Sequence, residues 1–273
     1  MTWKLECGSY VLYVIEDGYY WRDPQTYYAD SSDHDWRFHP RNDEGYARLN
    51  FGCYVITDGD RTIMVDAGIG EMSQEGMTVG LMPQAVDDLG IPRDSVETVV
   101  YSHMHYDHIG GSQRDGKIVF PNARHVFHTR EWAHWKTLDT DSGRVARKIM
   151  RPLFDASAVD FIEQDTEVLP GVTALETFGH TPGHLTVGIV SESNSILIGG
   201  DMSNHPFQVE HPYWSLPVDN DHQLAGTTRD RVFDTIKDTE TTFVAPHYPM
   251  PGVGKIVTED QTRVYQPGSP EKL

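Results

Sequence analysis

Three histidines and an aspartate fall within six residues in the segment Ser102-His103-Met104-His105-Tyr106-Asp107-His108-Ile109-Gly110-Gly111. No other stretch constrains the chain as tightly, because four metal-type side chains in that spacing are rare by chance. The β-branched run 96–101 predicts a short strand, so the cluster lies where a strand ends. His103 and His105 are two apart, and in extended backbone both imidazoles point the same way and reach one metal. The chain then turns, and Asp107 with His108 faces a second metal. Gly110 and Gly111 are expected to let the backbone turn tightly. Imidazole and carboxylate without thiolate suit zinc, with manganese, iron and cobalt as alternatives.

Two metals need further ligands, and metal-type residues stand at three more strand ends. His180 lies in Phe178-Gly179-His180-Thr181-Pro182-Gly183-His184, after a predicted strand at 173–177. Asp201 lies in Ile198-Gly199-Gly200-Asp201, after 196–198, and His247 in Ala245-Pro246-His247-Tyr248-Pro249, after 242–245. His184 is read as support for the turn after His180. His34, His39, His125, His128, His134, His211 and His222 show no ligand spacing and are read as surface or packing. Met72, Met77 and Met82 either line an adaptable pocket or belong to the core.

The rest of the pattern alternates. A strand is predicted at 10–15. A hairpin follows at 52–57 and 62–66 around Asp58-Gly59-Asp60. Helices are predicted at 83–89, 129–138, 143–154 and 223–237, with another strand at 185–190. This suits an α/β sandwich of two sheets flanked by helices. No repeat or linker divides the 273 residues, so 1–273 are read as a single domain. Residues 19–48 hold Tyr19, Tyr20, Trp21, Tyr27, Tyr28, Trp36 and Phe38 among many aspartates. They are read as a long aromatic arm or loop, serving as lid, binding loop or interface, or packed on its own core.

Composition excludes several classes. A 38% hydrophobic content with 6 Trp, 13 Tyr and 10 Phe argues against disorder. The net charge of −19 repels phosphate backbones and disfavours a nucleic-acid partner. Two cysteines, Cys7 and Cys53, make no disulfide framework, and Cys53 reads as a buried strand thiol. With no signal-peptide pattern and no run of about 18 apolar residues, no membrane role is expected and the cytoplasm is the expected location.

The order and context of these motifs resemble the metallo-β-lactamase superfamily over nearly the whole chain. Its pattern is a strand ending in Asp (here Val65-Asp66-Ala67-Gly68), then His-x-His-x-Asp-His, a lone His, a bridging Asp and a final His. The resemblance implies a four-layer αββα sandwich and two divalent metal ions, zinc by expectation. It implies that His103, His105 and His180 hold the first metal and Asp107, His108 and His247 the second. Asp201 bridges both, and Asp66 orients the ligand loops from behind.

Within the superfamily the chain is most similar to N-acyl-homoserine-lactone lactonases and methyl-parathion-hydrolase-like proteins. Three stretches carry this: Arg48 with the run that follows it to Ile56, Phe120-Pro121-Asn122-Ala123-Arg124-His125-Val126-Phe127 followed by Glu131-Trp132, and Asp201-Met202-Ser203-Asn204-His205-Pro206-Phe207-Gln208-Val209 continuing through His211-Pro212 to Trp214-Ser215. The implied activity is hydrolysis of a lactone or carboxylic ester, with Asp107 and Asp201 as catalytic carboxylates and Asp107 passing a proton to the leaving alkoxide. The alternatives are a phosphotriester hydrolase on the same centre and a mononuclear-iron persulfide dioxygenase-like enzyme. Lactonases of this type often place a Tyr three residues past the bridging Asp, where this chain has Asn204. Asn204, His205 and Phe207 are therefore expected to line the substrate site, and the arm from Tyr19 to Phe38 is expected to build part of a homodimer.

Overall fold

The computed structural model describes residues 1–28, 31–32, 35–71 and 77–273. Side-chain alternation along its strands explains the layering. In the strand Tyr10–Arg22, Leu12 and Val14 face one way and Tyr13 and Ile15 the other. The neighbouring strand Ala47–Thr57 repeats this, with Tyr54 and Ile56 opposite Cys53 and Val55. Strands apolar on both faces must be covered on both faces. One set meets Leu185, Val187, Ile189 and Val253 of a second sheet. The other set packs under the helices Met82–Asp88, Thr129–Trp135 and Asp141–Asp155 through Met82, Val86, Trp135, Ile149 and Leu153. Beyond the second sheet, the helix His222–Ile236 lays Val232, Phe233 and Ile236 on Phe243 and Ile256. The result is the expected αββα sandwich.

Among the described residues the first sheet has eight strands and the second seven. What positions the site is a pair of parallel contacts. Thr62–Val65 runs parallel to Val96–Val100, with Val65 opposite Val100. Asn194–Ile198 runs parallel to Thr242–Val244, with Ile198 opposite Val244. The carboxyl ends of parallel neighbours lie at one edge, so Asp66, the 102–108 segment, Asp201 and His247 all emerge together.

Several expectations need correction. The strand from Tyr10 does not stop at Ile15 but runs to Arg22, passing a register shift between Glu16 and Gly18. Tyr19–Arg22 therefore pairs with Ala47–Asn50, and the ends of the supposed irregular arm are sheet. Inside it lies a short helix, Pro24–Tyr27. Of the arm's rings, Tyr28 and Trp36 are buried with Leu49, Phe207 and Leu216, while Tyr19, Tyr20, Trp21, Tyr27 and Phe38 are half-buried. No described aromatic ring from Tyr19 to Phe38 is fully exposed, and the expected homodimer is not supported. The tail contains the hairpin Val253–Glu259 and Thr262–Pro267 at the edge of the second sheet. Met82 is core, while Met72 and His34 fall outside the described residues. Cys7 and Cys53 are buried free thiols. No helix among the described residues is long and apolar enough to cross a membrane.

Candidate metal centre

The ligand loops are shaped by a few strained or crowded positions. Asp66 follows its strand in the left-handed region, at φ 59°. Its Oδ1 accepts the Ser102 N–H at 2.7 Å, and its Oδ2 accepts from the Ser102 hydroxyl and from His108 Nδ1, both at 2.8 Å. The carboxylate thereby ties the first strand end to the second. Gly110 and Gly111 have a different reason from the expected one: neither adopts a positive φ. A Cβ at Gly110 would stand 2.2 Å from the Ile69 carbonyl oxygen, and one at Gly111 2.0 Å from that of Ala67. They permit close approach of two loops.

Seven side chains then converge. His103 Nε2 and His180 Nε2 lie 2.9 and 3.0 Å from His105 Nδ1. Asp201 Oδ2 lies 3.3 Å from His180 Nε2 and 3.8 Å from His103 Nε2. The other oxygen, Oδ1, lies 3.2 Å from His108 Nε2 and 3.0 Å from His247 Nε2. Asp107 Oδ2 completes that second group, 3.8 Å from His108 Nε2 and 3.6 Å from His247 Nε2. Within each group the donor atoms all lie within 4.8 Å of one another, a spacing that suits one ion. The single carboxylate of Asp201 turns one oxygen to each group.

The donor set fits divalent metals by a test internal to the structure. His108 Nε2 and Asp201 Oδ1 are buried without hydrogen-bond partners, although buried polar atoms are normally paired. In His108, His180 and His247 the second imidazole nitrogen is engaged from behind. His108 Nδ1–H donates to Asp66, His180 Nδ1–H to Asp219 Oδ1 at 2.8 Å, and His247 Nδ1–H to the Asn50 carbonyl at 2.7 Å. This fixes the tautomer that leaves Nε2 as a lone-pair donor. Electrostatics agree. Burial holds the pKa of His105 down to about 3, with His180 adding to it, so its imidazole stays neutral. Burial opposes charge on His180 too, but Asp201 and Asp219 outweigh it and raise its pKa to about 9. Burial would likewise protonate Asp201, yet His247 and His108 outweigh it and keep it anionic. Protons on His108, His180 and His247 balance the carboxylates, and a bound metal would replace them.

Sequence reasoning missed the residues that hold these ligands. Asp219 takes His180 on one oxygen and the Arg229 guanidinium on the other, at 2.7 Å. Buried Glu131 accepts from Met104 N–H at 2.9 Å and Gly183 N–H at 3.0 Å, clamping two ligand loops together. His184 goes beyond supporting its own turn, because its Nε2 accepts the backbone N–H of Asp201 at 3.0 Å. No periodicity or spacing marks such contacts; they become visible only in three dimensions.

A cleft of about 520 Å3 opens over the centre, walled by His105, Asp107, Asp201 and His247. Tyr20, Tyr27, Tyr106, Trp135, Leu216 and Val218 make it largely aromatic and apolar, and Arg22 lines it too. Of the three predicted substrate residues, the structure brings only Asn204 to this wall. His205 and Phe207 are fully buried behind it. The chain turns inward at Pro206–Val209, where His205 Nδ1 accepts the Phe207 N–H at 3.2 Å. His205 then stacks on His39 at 4.5 Å and meets Trp36 at 4.4 Å. The structure does not bring these two side chains to the cleft; they pack against the arm.

The four-layer sandwich with two groups of metal-type side chains sharing one aspartate marks a metal-binding class of protein. The family model of the metallo-beta-lactamase superfamily matches residues 53–247, and the chain belongs to that superfamily. It is a metal-dependent hydrolase related to lactonases. The N-acyl homoserine lactonase AiiA of Bacillus thuringiensis subsp. kurstaki is 26% identical over 206 residues, 68% of this chain and 76% of that protein. The metallo-hydrolase mfmC of Annulohypoxylon moriforme is 26% identical over 213 residues, 64% of this chain and 53% of that one. Among solved structures, the hydrolase AbOPH of the beta lactamase superfamily aligns with a TM-score of 0.87 at 21% identity, covering 99% of this chain and 98% of its own. AidC, a dizinc quorum-quenching lactonase in complex with a product, aligns at 0.86 and 19% identity with the same coverage. At these identities the structural likeness speaks for the fold.

Proposed function

We propose that this chain hydrolyses a lactone or a carboxylic ester on two divalent metal ions, zinc by the chemistry of its donors. The observation that carries the reading is the Asp201 carboxylate, with one oxygen toward His103, His105 and His180 and the other toward His108, His247 and Asp107. Two ions bound there would supply Lewis acidity to a carbonyl oxygen and make water nucleophilic near neutral pH. The protein's own groups do the rest. Asp107 is the ligand carboxylate open to the cleft, its side chain 21% exposed against 6% for Asp201. It is placed to pass a proton to the departing alkoxide. Asn204 brings a side-chain amide to the same wall, and its Oδ1 has no protein partner. The aromatic walls exclude water and take the apolar part of a substrate.

A hydrolysis screen of zinc-loaded protein against lactones, aryl esters and phosphotriesters tests this, run with the wild type and Asp107→Asn. Lactone or ester turnover that falls by about a hundredfold or more in the variant is the expected result. Turnover of phosphotriesters alone would reassign the substrate class, and turnover of none would refute the reading.

A further inference from the structure

Three phenols, Tyr20, Tyr27 and Tyr106, stand on the cleft wall, and none of their hydroxyls has a hydrogen-bond partner among the described residues. Tyr20 differs from the others in what fixes it. It sits near the end of the strand Tyr10–Arg22, paired with Leu49 of the adjacent strand. Its ring stacks on Phe51 at 5.4 Å with 14° between planes, and Phe51 meets the His247 ring edge-on at 6.1 Å. A rigid sheet and a stacked ring thus hold the phenol on the His247 side of the centre. Tyr27, by contrast, belongs to the four-residue helix of the arm.

The charges that act on the Tyr20 hydroxyl are those of Asp107, Arg22 and Asp201. Burial, with the two carboxylates behind it, pushes its pKa up to about 12. The phenol therefore keeps its proton at working pH. A neutral O–H on the wall that Tyr20 shares with Asp107 and Asp201 is suited to donate a hydrogen bond into the cleft. Such a donor acts most strongly on an oxygen whose negative charge grows during the reaction.

We infer that Tyr20 contacts the substrate: its hydroxyl donates a hydrogen bond to the scissile carbonyl oxygen of the ester or lactone and holds that oxygen as charge develops on it. The inference rests on the lactone or ester reading above. No proton is transferred, and the phenol is unchanged at the end of the cycle.

Tyr20→Phe keeps the ring and its stack on Phe51 and removes only the hydroxyl. With N-hexanoyl-homoserine lactone as the probe, kcat is expected to fall by about a hundredfold while KM stays within about threefold. Bound zinc and melting temperature are expected to match the wild type. Calorimetry gives a second readout that needs no turnover. The ring-opened hydroxy acid presents a carboxylate where the carbonyl stood, and it is expected to bind the zinc-loaded variant about tenfold more weakly. Wild-type kcat and wild-type product affinity in Tyr20→Phe would overturn the inference and leave the hydrolase reading standing. A variant that loses zinc or melts early in proportion to its lost activity would also overturn it, since that is the mark of a structural role. A wild-type enzyme inert toward every lactone and ester would refute the reading of the site, and the inference with it.

Discussion

Asp17 shows at the scale of one residue how the ligand edge is tied to the rest of the fold. It sits at the register shift in the strand Tyr10–Arg22, where its carboxylate turns inward and accepts the N–H groups of Ile69 and Met82 at 2.7 Å each. Ile69 is three residues beyond Asp66, so the carboxylate anchors the loop that leaves the centre. Burial raises its pKa to about 6 in spite of these backbone donors. A carboxyl whose folded pKa lies above its unfolded value, about 3.9, contributes stability that is fully present below the unfolded pKa and is lost as pH rises through the folded one. The window here is about pH 4 to 6. The melting-temperature gap between wild type and Asp17→Asn is therefore expected to widen as pH falls from 7 to 4. A gap that is constant or narrows across that range would contradict the assignment. At this scale the convergence of seven metal-type side chains and Asp66 was legible, because each stands where a strand meets a Gly- or Pro-shaped turn. Asp17, Glu131 and Asp219 were not, since an acidic residue that binds backbone amides far away in sequence looks like any other surface carboxylate.

Among the elements, the helix His222–Ile236 bears most directly on the centre. It starts on Asp221, whose side chain accepts the Leu224 N–H at 2.9 Å. Its buried Arg229 donates to Met202 O at 2.7 Å, to the Pro212 carbonyl and to Asp219. One guanidinium thus links the helix, the turn after Asp201 and the carboxylate that orients His180. Both ends of the Arg229–Asp219 pair are fully buried, so removing one partner leaves an uncompensated charge. Arg229→Met is expected to cost about 3–5 kcal/mol in chemical denaturation and to weaken zinc binding by about tenfold or more through His180. Unchanged stability and unchanged zinc affinity would show that the link is incidental. The helix itself was readable from its periodicity and so was the strand before Asp201. The arm was not: its mixture of aromatics and aspartates has neither helical nor strand period, and its burial depends on Phe207 and Leu216, far along the chain.

For the whole molecule, the sandwich has one mechanical consequence. Each sheet supplies a parallel strand pair, and both pairs end at the same edge, so ligands from residues 103 to 247 meet without any local sequence relation. The layered architecture was legible because strands apolar on both faces alternate with amphipathic helices. The cleft was only partly legible. Its walls come from the strand end at Tyr20, the helix at Trp135 and the turn at Leu216, which sequence order does not bring together. The net charge of −19 disfavours polyanionic substrates. The central claim, two ions acting as one hydrolytic centre, is tested most directly by titrating zinc into metal-free protein while following lactone hydrolysis. The account predicts little activity through the first equivalent and a rise to a plateau at about two equivalents per chain, with a chelator abolishing the gain. A plateau at one equivalent, or hydrolysis that persists in the metal-free protein, would contradict it.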